Sequence, residues 1–180
     1  MKQPPLVVAV VLGFILSLAA CNDADERRMA ELQSKCSPKS ENYNDENIKG
    51  CTEFLALPNL AQPVRAMTLN IRGNSYDALG QHDLAIADYM EAIRLLPDFS
   101  AAYANIGLQY CRMGDFKMAL NFYDQALKVN PKSSYAMYGR GVALSRLGEF
   151  DAARNQLGAA NAADPAIAGV YKQIAMEPAP

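Results

Sequence analysis

Four prolines stand 34 residues apart, at Pro63, Pro97, Pro131 and Pro165, and this spacing constrains the fold more than any other feature. Four series of small residues keep the same period: Gly73, Gly107 and Gly141; Gly80, Gly114 and Gly148; Ala85, Ala119 and Ala153; Ala92, Ala126 and Ala160. A fixed period of this length predicts stacked structural units, each of which contacts mainly its neighbours.

Each unit divides into two helices, which are clearest in the middle unit as SAAYANIGLQYCRMG and KMALNFYDQALKVNP. Their apolar residues fall on helical stripes, Gly114 permits a tight turn between them, and Pro131 ends the second helix. Ser100 is predicted to cap the first helix by accepting from free amides of its opening turn. Gly107 is expected to let the two helices approach closely, with Tyr123 filling the space beside it.

The middle unit resembles the tetratricopeptide repeat, whose signature residues it carries at Tyr103, Ile106, Gly107, Tyr110, Ala119, Tyr123, Ala126 and Pro131. The resemblance extends over residues 66–167. The flanking units keep the glycines, alanines and proline of the pattern. They depart from it by placing Arg72 and Arg140 at the leucine position, and Leu69 and Met137 at the aromatic position.

The predicted fold is all-α, a right-handed α-solenoid of three helix-turn-helix repeats with a partial repeat and a capping helix at its ends. The predicted segments are a signal peptide at 1–20, a tether with a disulfide-pinned segment at 21–45, a degenerate half repeat at 46–65, repeats at 66–99, 100–133 and 134–167, and a capping helix and tail at 168–180. The half repeat is expected to contribute a second helix ending at Pro63.

The first 20 residues read as an export signal, because a lysine precedes an apolar run that is too short for a comfortable membrane span. The run ends in LAAC, which resembles the lipobox of bacterial lipoproteins and implies cleavage before Cys21 and acylation of its sulfur. Ordinary secretion with cleavage after the small residues of SLA, and an uncleaved anchor, are the alternatives. The predicted location is a bacterial cell envelope, lipid-anchored and facing the periplasm, with inner or outer membrane left open.

Export places the chain in an oxidising compartment, where cysteines pair. Cys36 and Cys51 flank a short polar stretch and are predicted to form a disulfide that stabilises the fold by about 3 kcal/mol. The alternative is two separately buried thiols. Cys111 is expected to be a small helical side chain, with a reactive or partner-linked thiol as the alternative.

Composition argues against several classes of function. A net charge of -2 offers no basic surface for nucleic acid, and a single histidine, His82, offers no pair for metal ligation or acid–base chemistry. No serine or cysteine nucleophile has a recognisable partner. We therefore predict no enzyme activity, no cofactor, no metal site and no nucleic-acid partner.

The resemblance implies that protein segments bind in a concave groove lined by the first helix of each repeat. The residues predicted to line it are Asn70, Asn74, Asp77, Leu108, Arg112, Tyr135, Tyr138 and Arg146. Tyrosine and arginine are common interface anchors, and Arg112 and Arg146 are expected to form a basic stripe that faces an acidic segment. The alternative is that these side chains are merely solvated or pack under neighbouring helices.

One subtype of the family, the chaperone carboxylate clamp, is incomplete in this chain. Its asparagines match Asn74 and Asn105, but Asn70, Tyr135 and Gly139 stand where it needs basic residues. The predicted function is a membrane-anchored adaptor that binds other envelope proteins or peptide segments. The alternative is a structural envelope lipoprotein that self-associates as a homo-oligomer and holds no peptide in the groove.

Overall fold

The computed structural model describes residues 25–37 and 44–173. In these ranges the regular structure consists of α-helices only: α1 (25–36), α2 (Asp45–Leu55), α3 (Gln62–Ala78), α4 (His82–Leu95), α5 (Ser100–Arg112), α6 (Phe116–Val129), α7 (Ser134–Arg146), α8 (Phe150–Ala163) and α9 (Ile167–Gln173). The predicted signal peptide, Cys21 and the last seven residues lie outside the described residues. None of the described helices has the length and apolar character needed to span a bilayer.

Helices α3 to α8 form three successive pairs, and the predicted all-α solenoid is confirmed. Each pair turns at a glycine with positive φ, at Gly80 (73°), Gly114 (79°) and Gly148 (83°). Glycine reaches this region without steric cost, so the 34-residue glycine series marks the sharp turn between paired helices. Asp115 then caps α6 by accepting from the Met118 N–H at 3.0 Å.

Within a pair, a helical glycine faces a large side chain of the second helix. A Cβ on Gly73 would lie 2.5 Å from the Tyr89 ring, and a Cβ on Gly107 would lie 3.0 Å from the Tyr123 ring. Both tyrosines are almost fully buried. The close approach predicted from the sequence is therefore present, and the aromatic ring occupies the space that a side chain on the glycine would need.

Ser100 does not cap α5, contrary to the prediction. Phe99 is the N-cap residue and makes no side-chain cap, while the Ser100 hydroxyl donates to the Ala126 carbonyl at 2.9 Å. This bond ties the start of the first helix to the last turn of its partner. A side-chain cap is found instead on α7, where Ser133 accepts from the Ala136 N–H at 3.2 Å.

Two hydrophobic clusters fill the interior. The N-terminal core consists of Ala66, Leu69, Ala85, Tyr89, Ala92, Ala102 and Ile106. The C-terminal core consists of Ala104, Leu108, Cys111, Ala119, Tyr123, Ala126, Ala136, Tyr138, Val142, Ala143, Ala160 and Ile167. Because α5 contributes residues to both, it is the central helix that joins the first repeat to the other two.

Arginine at the leucine position of repeat 1 is explained by its partner. The Arg72 guanidinium donates from Nε and Nη2 to the two carboxylate oxygens of Asp88, each at 2.8 Å, and this pairing raises the pKa of Arg72. The corresponding positions of repeat 2 hold Ile106 and Phe122, which pack with the N-terminal core. A charged pair in one repeat thus replaces an apolar pair in the next.

The predicted Cys36–Cys51 disulfide is present and joins α1 to α2. The helices approach closely there, since a Cβ on Gly50 would lie 2.7 Å from the Lys35 backbone, and Asn47 Nδ2 donates to the Lys35 carbonyl at 3.1 Å. A tether with a disulfide-pinned segment was predicted for 21–45, and residues 25–36 within it form a helix. The segment before repeat 1 is therefore a covalently joined helix pair.

The boundary before repeat 1 also differs from the prediction. Helix α2 ends at Leu55, and Pro63 lies in the first turn of α3, where its missing N–H costs no hydrogen bond. At the other end, α9 packs on α7 and α8 and buries Ile167 in the C-terminal core. The stack is therefore extended by helices at both ends.

Candidate functional site

A row of polar side chains on α3 faces a matching row on α5. In each row the residues are spaced by four and three positions, so they lie along one side of their helix. We call these six residues the polar junction: Asn70, Asn74 and Asp77 on α3, and Asn105, Gln109 and Arg112 on α5.

Side-chain amides link the two helices at one end of the polar junction. Asn105 Nδ2 donates to Asn70 Oδ1 and to Asn74 Oδ1, each at 3.0 Å. Asn74 Oδ1 also accepts from the Tyr89 hydroxyl at 2.9 Å. Asn74 is therefore held by both the neighbouring repeat and the second helix of its own repeat.

An ion pair links the helices at the other end of the polar junction. Arg112 Nη1 donates to Asp77 Oδ1, and His82 Nδ1 lies 3.1 Å from the same oxygen. The Asp77 carboxylate therefore balances the charge of Arg112. Of the predicted stripe of Arg112 and Arg146, Arg112 is paired with Asp77, and Cys111 stands at the repeat position that corresponds to Asp77.

Gln109 lies between these two ends and, like Asn105, is not among the predicted groove residues. Only 1% of its surface is exposed, and neither its Nε2 nor its Oε1 has a hydrogen-bond partner in the part of the chain that the structure describes. A buried amide without partners costs about 1–3 kcal/mol. The spacing of Gln109 from Asn105 and Arg112 is the sequence signal that would have placed it in this row.

The junction between α5 and α7 contains residues of the C-terminal core. Helix α7 packs directly on α5, and Leu108 (4% exposed) and Tyr138 (7% exposed) belong to the C-terminal core. Both were predicted to line the groove, but they lie between helices, as the alternative interpretation had it. Burial raises the pKa of the Cys111 thiol to about 11, which keeps it un-ionised and unreactive.

Six of the eight predicted groove residues remain reachable from solvent. Arg146 is exposed, and the others are half-buried: Asn70, Asn74, Asp77, Arg112 and Tyr135. Across residues 25–37 and 44–173, no group of three His, Cys, Asp or Glu side chains is arranged to hold a metal ion. The accessible polar groups of this face are therefore amide, guanidinium, carboxylate and phenol groups suited to hydrogen bonding.

Sequence comparison matches one tetratricopeptide repeat profile to residues 66–99 and 100–133, and a second tetratricopeptide repeat profile to residues 122–155. Together the matches span half of the 180 residues, and the chain belongs to the tetratricopeptide repeat family. No curated protein sequence matches it significantly.

Solved structures of the same fold include MamA, with a TM-score of 0.58 and 23% identity over 67% of this chain and 68% of that one. The second TPR of Spaghetti (RPAP3) bound to the HSP90 peptide SRMEEVD has a TM-score of 0.56 and 24% identity, over 58% of this chain and 93% of that one. The Arabidopsis OM64 TPR domain has a TM-score of 0.57 and 22% identity, over 63% of this chain and 95% of that one. At these identities the similarity establishes the fold alone.

Proposed function

We propose that this protein is an adaptor that binds a segment of another protein on the face formed by α3, α5 and α7. Repeats of this family generally mediate protein–protein interaction, and the Spaghetti structure was solved with a bound peptide. The observation that carries the proposal is the polar junction, which leaves hydrogen-bonding side chains reachable on the face where Leu108 and Tyr138 are buried. Such a face suits a polypeptide, because its main chain offers both donors and acceptors.

We further propose that the protein works in a bacterial cell envelope, held by a lipid on Cys21 and facing the periplasm. The apolar run followed by LAAC supports an exported lipoprotein. The Cys36–Cys51 disulfide is compatible with this location, since disulfides persist in oxidising compartments. Several acyl chains together hold a protein firmly at a bilayer, at about 0.8 kcal/mol per buried methylene.

Crosslinked capture from native envelopes tests the adaptor function. The groove variant combines Asn70→Ala, Tyr135→Ala and Arg146→Glu, which leaves Leu108 and Tyr138 of the core unchanged. The matched control combines Gln125→Ala and Lys128→Glu on the exposed side of α6. Circular dichroism first confirms that all three proteins are folded. We then expect wild type and control to capture a partner that the groove variant does not capture. Capture of the same set by all three, or of nothing, would reject the proposal.

The anchor is tested separately by Cys21→Ser. We expect the wild-type chain to incorporate labelled palmitate and to sediment with membranes, and the variant to do neither. A variant that still sediments, or a wild-type chain without label, would contradict lipid anchoring while leaving the binding function open.

One observation favours self-association as a second candidate. Phe116 packs against the C-terminal core, whereas Phe150, at the same position one repeat later, is 53% exposed. An exposed aromatic at the end of a repeat stack can be covered by a second copy. Sedimentation equilibrium would support this function if the protein dimerises with concentration and Phe150→Lys abolishes the dimer; a monomer at all concentrations would remove it.

A further inference from the structure

We propose that the polar junction recognises a carboxamide, the side chain of an asparagine or glutamine in the partner segment. The inference rests on the proposed protein-binding function and names the chemical group that the site selects. Its first support is location: Gln109 lies in the row that joins α3 to α5, beside half-buried amides and an ion pair. Because Gln109 is buried, entry of a ligand group requires α3 and α5 to separate at this junction.

Charge decides which kind of group fits there. Asp77 and Arg112 balance each other, and Asn70, Asn74 and Asn105 are neutral amides. A carboxylate or an ammonium group entering this junction would lose its hydration without gaining a net opposite charge. The junction therefore selects against charged side chains.

Gln109 decides the hydrogen-bonding pattern of the ligand. It presents one buried donor and one buried acceptor side by side, and both are unsatisfied within the described residues. A second carboxamide supplies the complementary acceptor and donor in one planar group, so both bonds form at once. A hydroxyl satisfies fewer of these groups and an aliphatic side chain satisfies neither, which makes asparagine and glutamine the best match.

Selection from a displayed random dodecapeptide library tests this inference on the full chain. We expect peptides selected on the wild-type protein to carry asparagine or glutamine at one fixed position, at least fivefold above the unselected library. Gln109→Met keeps the length of the side chain and removes the amide. It should weaken a selected peptide about tenfold, whereas Gln125→Met on the exposed side of α6 should not change its affinity.

A second measurement does not depend on the variant. In the ¹⁵N-labelled wild-type protein, a selected peptide should shift the side-chain NH₂ signals of Gln109, and its Gln→Glu or Asn→Asp version should not.

The outcomes separate this inference from the proposed function. Peptides selected without carboxamide enrichment, or enriched peptides that bind Gln109→Met equally well, would overturn carboxamide recognition and leave peptide binding standing. An unshifted Gln109 signal with a bound peptide would do the same. Failure to select any peptide would overturn the inference and count against peptide binding as well.

Discussion

Individual glycines determine how closely the paired helices pack. Gly73 and Gly107 are needed because tyrosine rings occupy the space where a side chain would go, whereas Gly158 on α8 has nothing within 4 Å of an added Cβ. The repeat spacing made the first two predictable from the sequence. Gly158 lies outside that spacing, and the sequence gives it no packing role.

Gly73→Ala and Gly158→Ala should therefore have opposite effects on stability. We expect Gly73→Ala to lower the free energy of unfolding by about 1–3 kcal/mol, because the new methyl group overlaps the Tyr89 ring. Gly158→Ala should raise it by about 0.5–1 kcal/mol, the ordinary gain in helix propensity. Urea unfolding followed by circular dichroism measures both, and equal effects would contradict the packing role of Gly73.

Cys111 should be inert in the folded protein. With its pKa raised from 9.0 to about 11, its thiolate fraction near neutral pH falls about a hundredfold. Its reaction with a disulfide reagent at pH 8 should be slow in the native state and fast in urea. Rapid native reaction would show that the thiol is not buried.

The same pKa shift sets the direction of a pH effect. Because the folded-state pKa is the higher one, the contribution of the neutral Cys111 thiol is complete below pH 9 and is lost as the pH rises towards 11. Cys111→Ala should therefore be less sensitive than wild type to alkaline pH in that window.

At the scale of helices, the sequence predicted the repeated pairs well because their turn glycines and buried alanines recur at a fixed period. The sequence did not predict the helix α1. Its residues are mostly exposed, and Leu32 and Cys36 are its only buried hydrophobic residues, so the sequence contains no apolar stripe that indicates a helix. It also placed Leu108 and Tyr138 at the surface. Their burial depends on the distance between neighbouring first helices, which is a tertiary property and is not encoded in the spacing along one helix.

The Arg72–Asp88 pair should be costly to break and inexpensive to replace. Asp88→Ala leaves the Arg72 side chain, which is only 18% exposed, without its carboxylate, so we expect a loss of about 2 kcal/mol, below the range for fully buried pairs. The double variant Arg72→Ile/Asp88→Phe copies the pair of repeat 2 and should lie within about 1 kcal/mol of wild type. A double-mutant cycle by urea unfolding measures the coupling, and additive losses would contradict it.

The disulfide should contribute to the stability of the N-terminal helix pair. Cys36→Ser/Cys51→Ser should lower the free energy of unfolding by about 3 kcal/mol, the chain-entropy estimate for a loop of this length. Hydrogen exchange should localise the loss to α1 and α2, with α5 to α8 unaffected. A uniform loss across all helices would show that the pair is coupled to the entire stack.

At the scale of the whole molecule, the two junctions between repeats differ in kind. The junction between repeats 2 and 3 is closed by the C-terminal core, whereas the junction between repeats 1 and 2 adds amides, an ion pair and the unsatisfied Gln109 to the N-terminal core. The period alone predicts equivalent junctions, because glycines and alanines repeat at both. The difference arises from positions that do not follow the repeat period, such as those of the polar junction. Only the structure shows that these side chains face one another across the two helices.

This difference predicts unequal local stability. Amides of α3 should exchange with solvent faster than those of α7, because the junction of α3 with α5 carries the cost of the unsatisfied Gln109 amide. Native-state hydrogen exchange by mass spectrometry measures the contrast. Gln109→Met should slow exchange in α3 by adding apolar contact, and Gln125→Met should leave it unchanged.

The Cys36–Cys51 bond has a mechanical consequence. Tension applied between the N-terminal region and the repeats passes from Cys36 through the sulfur atoms to Cys51, so residues 37–50 lie off the load path. The force then enters the final turn of α2 and the connection to α3. In a chain held at its N-terminus, tension would therefore act first on the connection to repeat 1, and the fourteen residues from 37 to 50 would bear none until the bond is reduced.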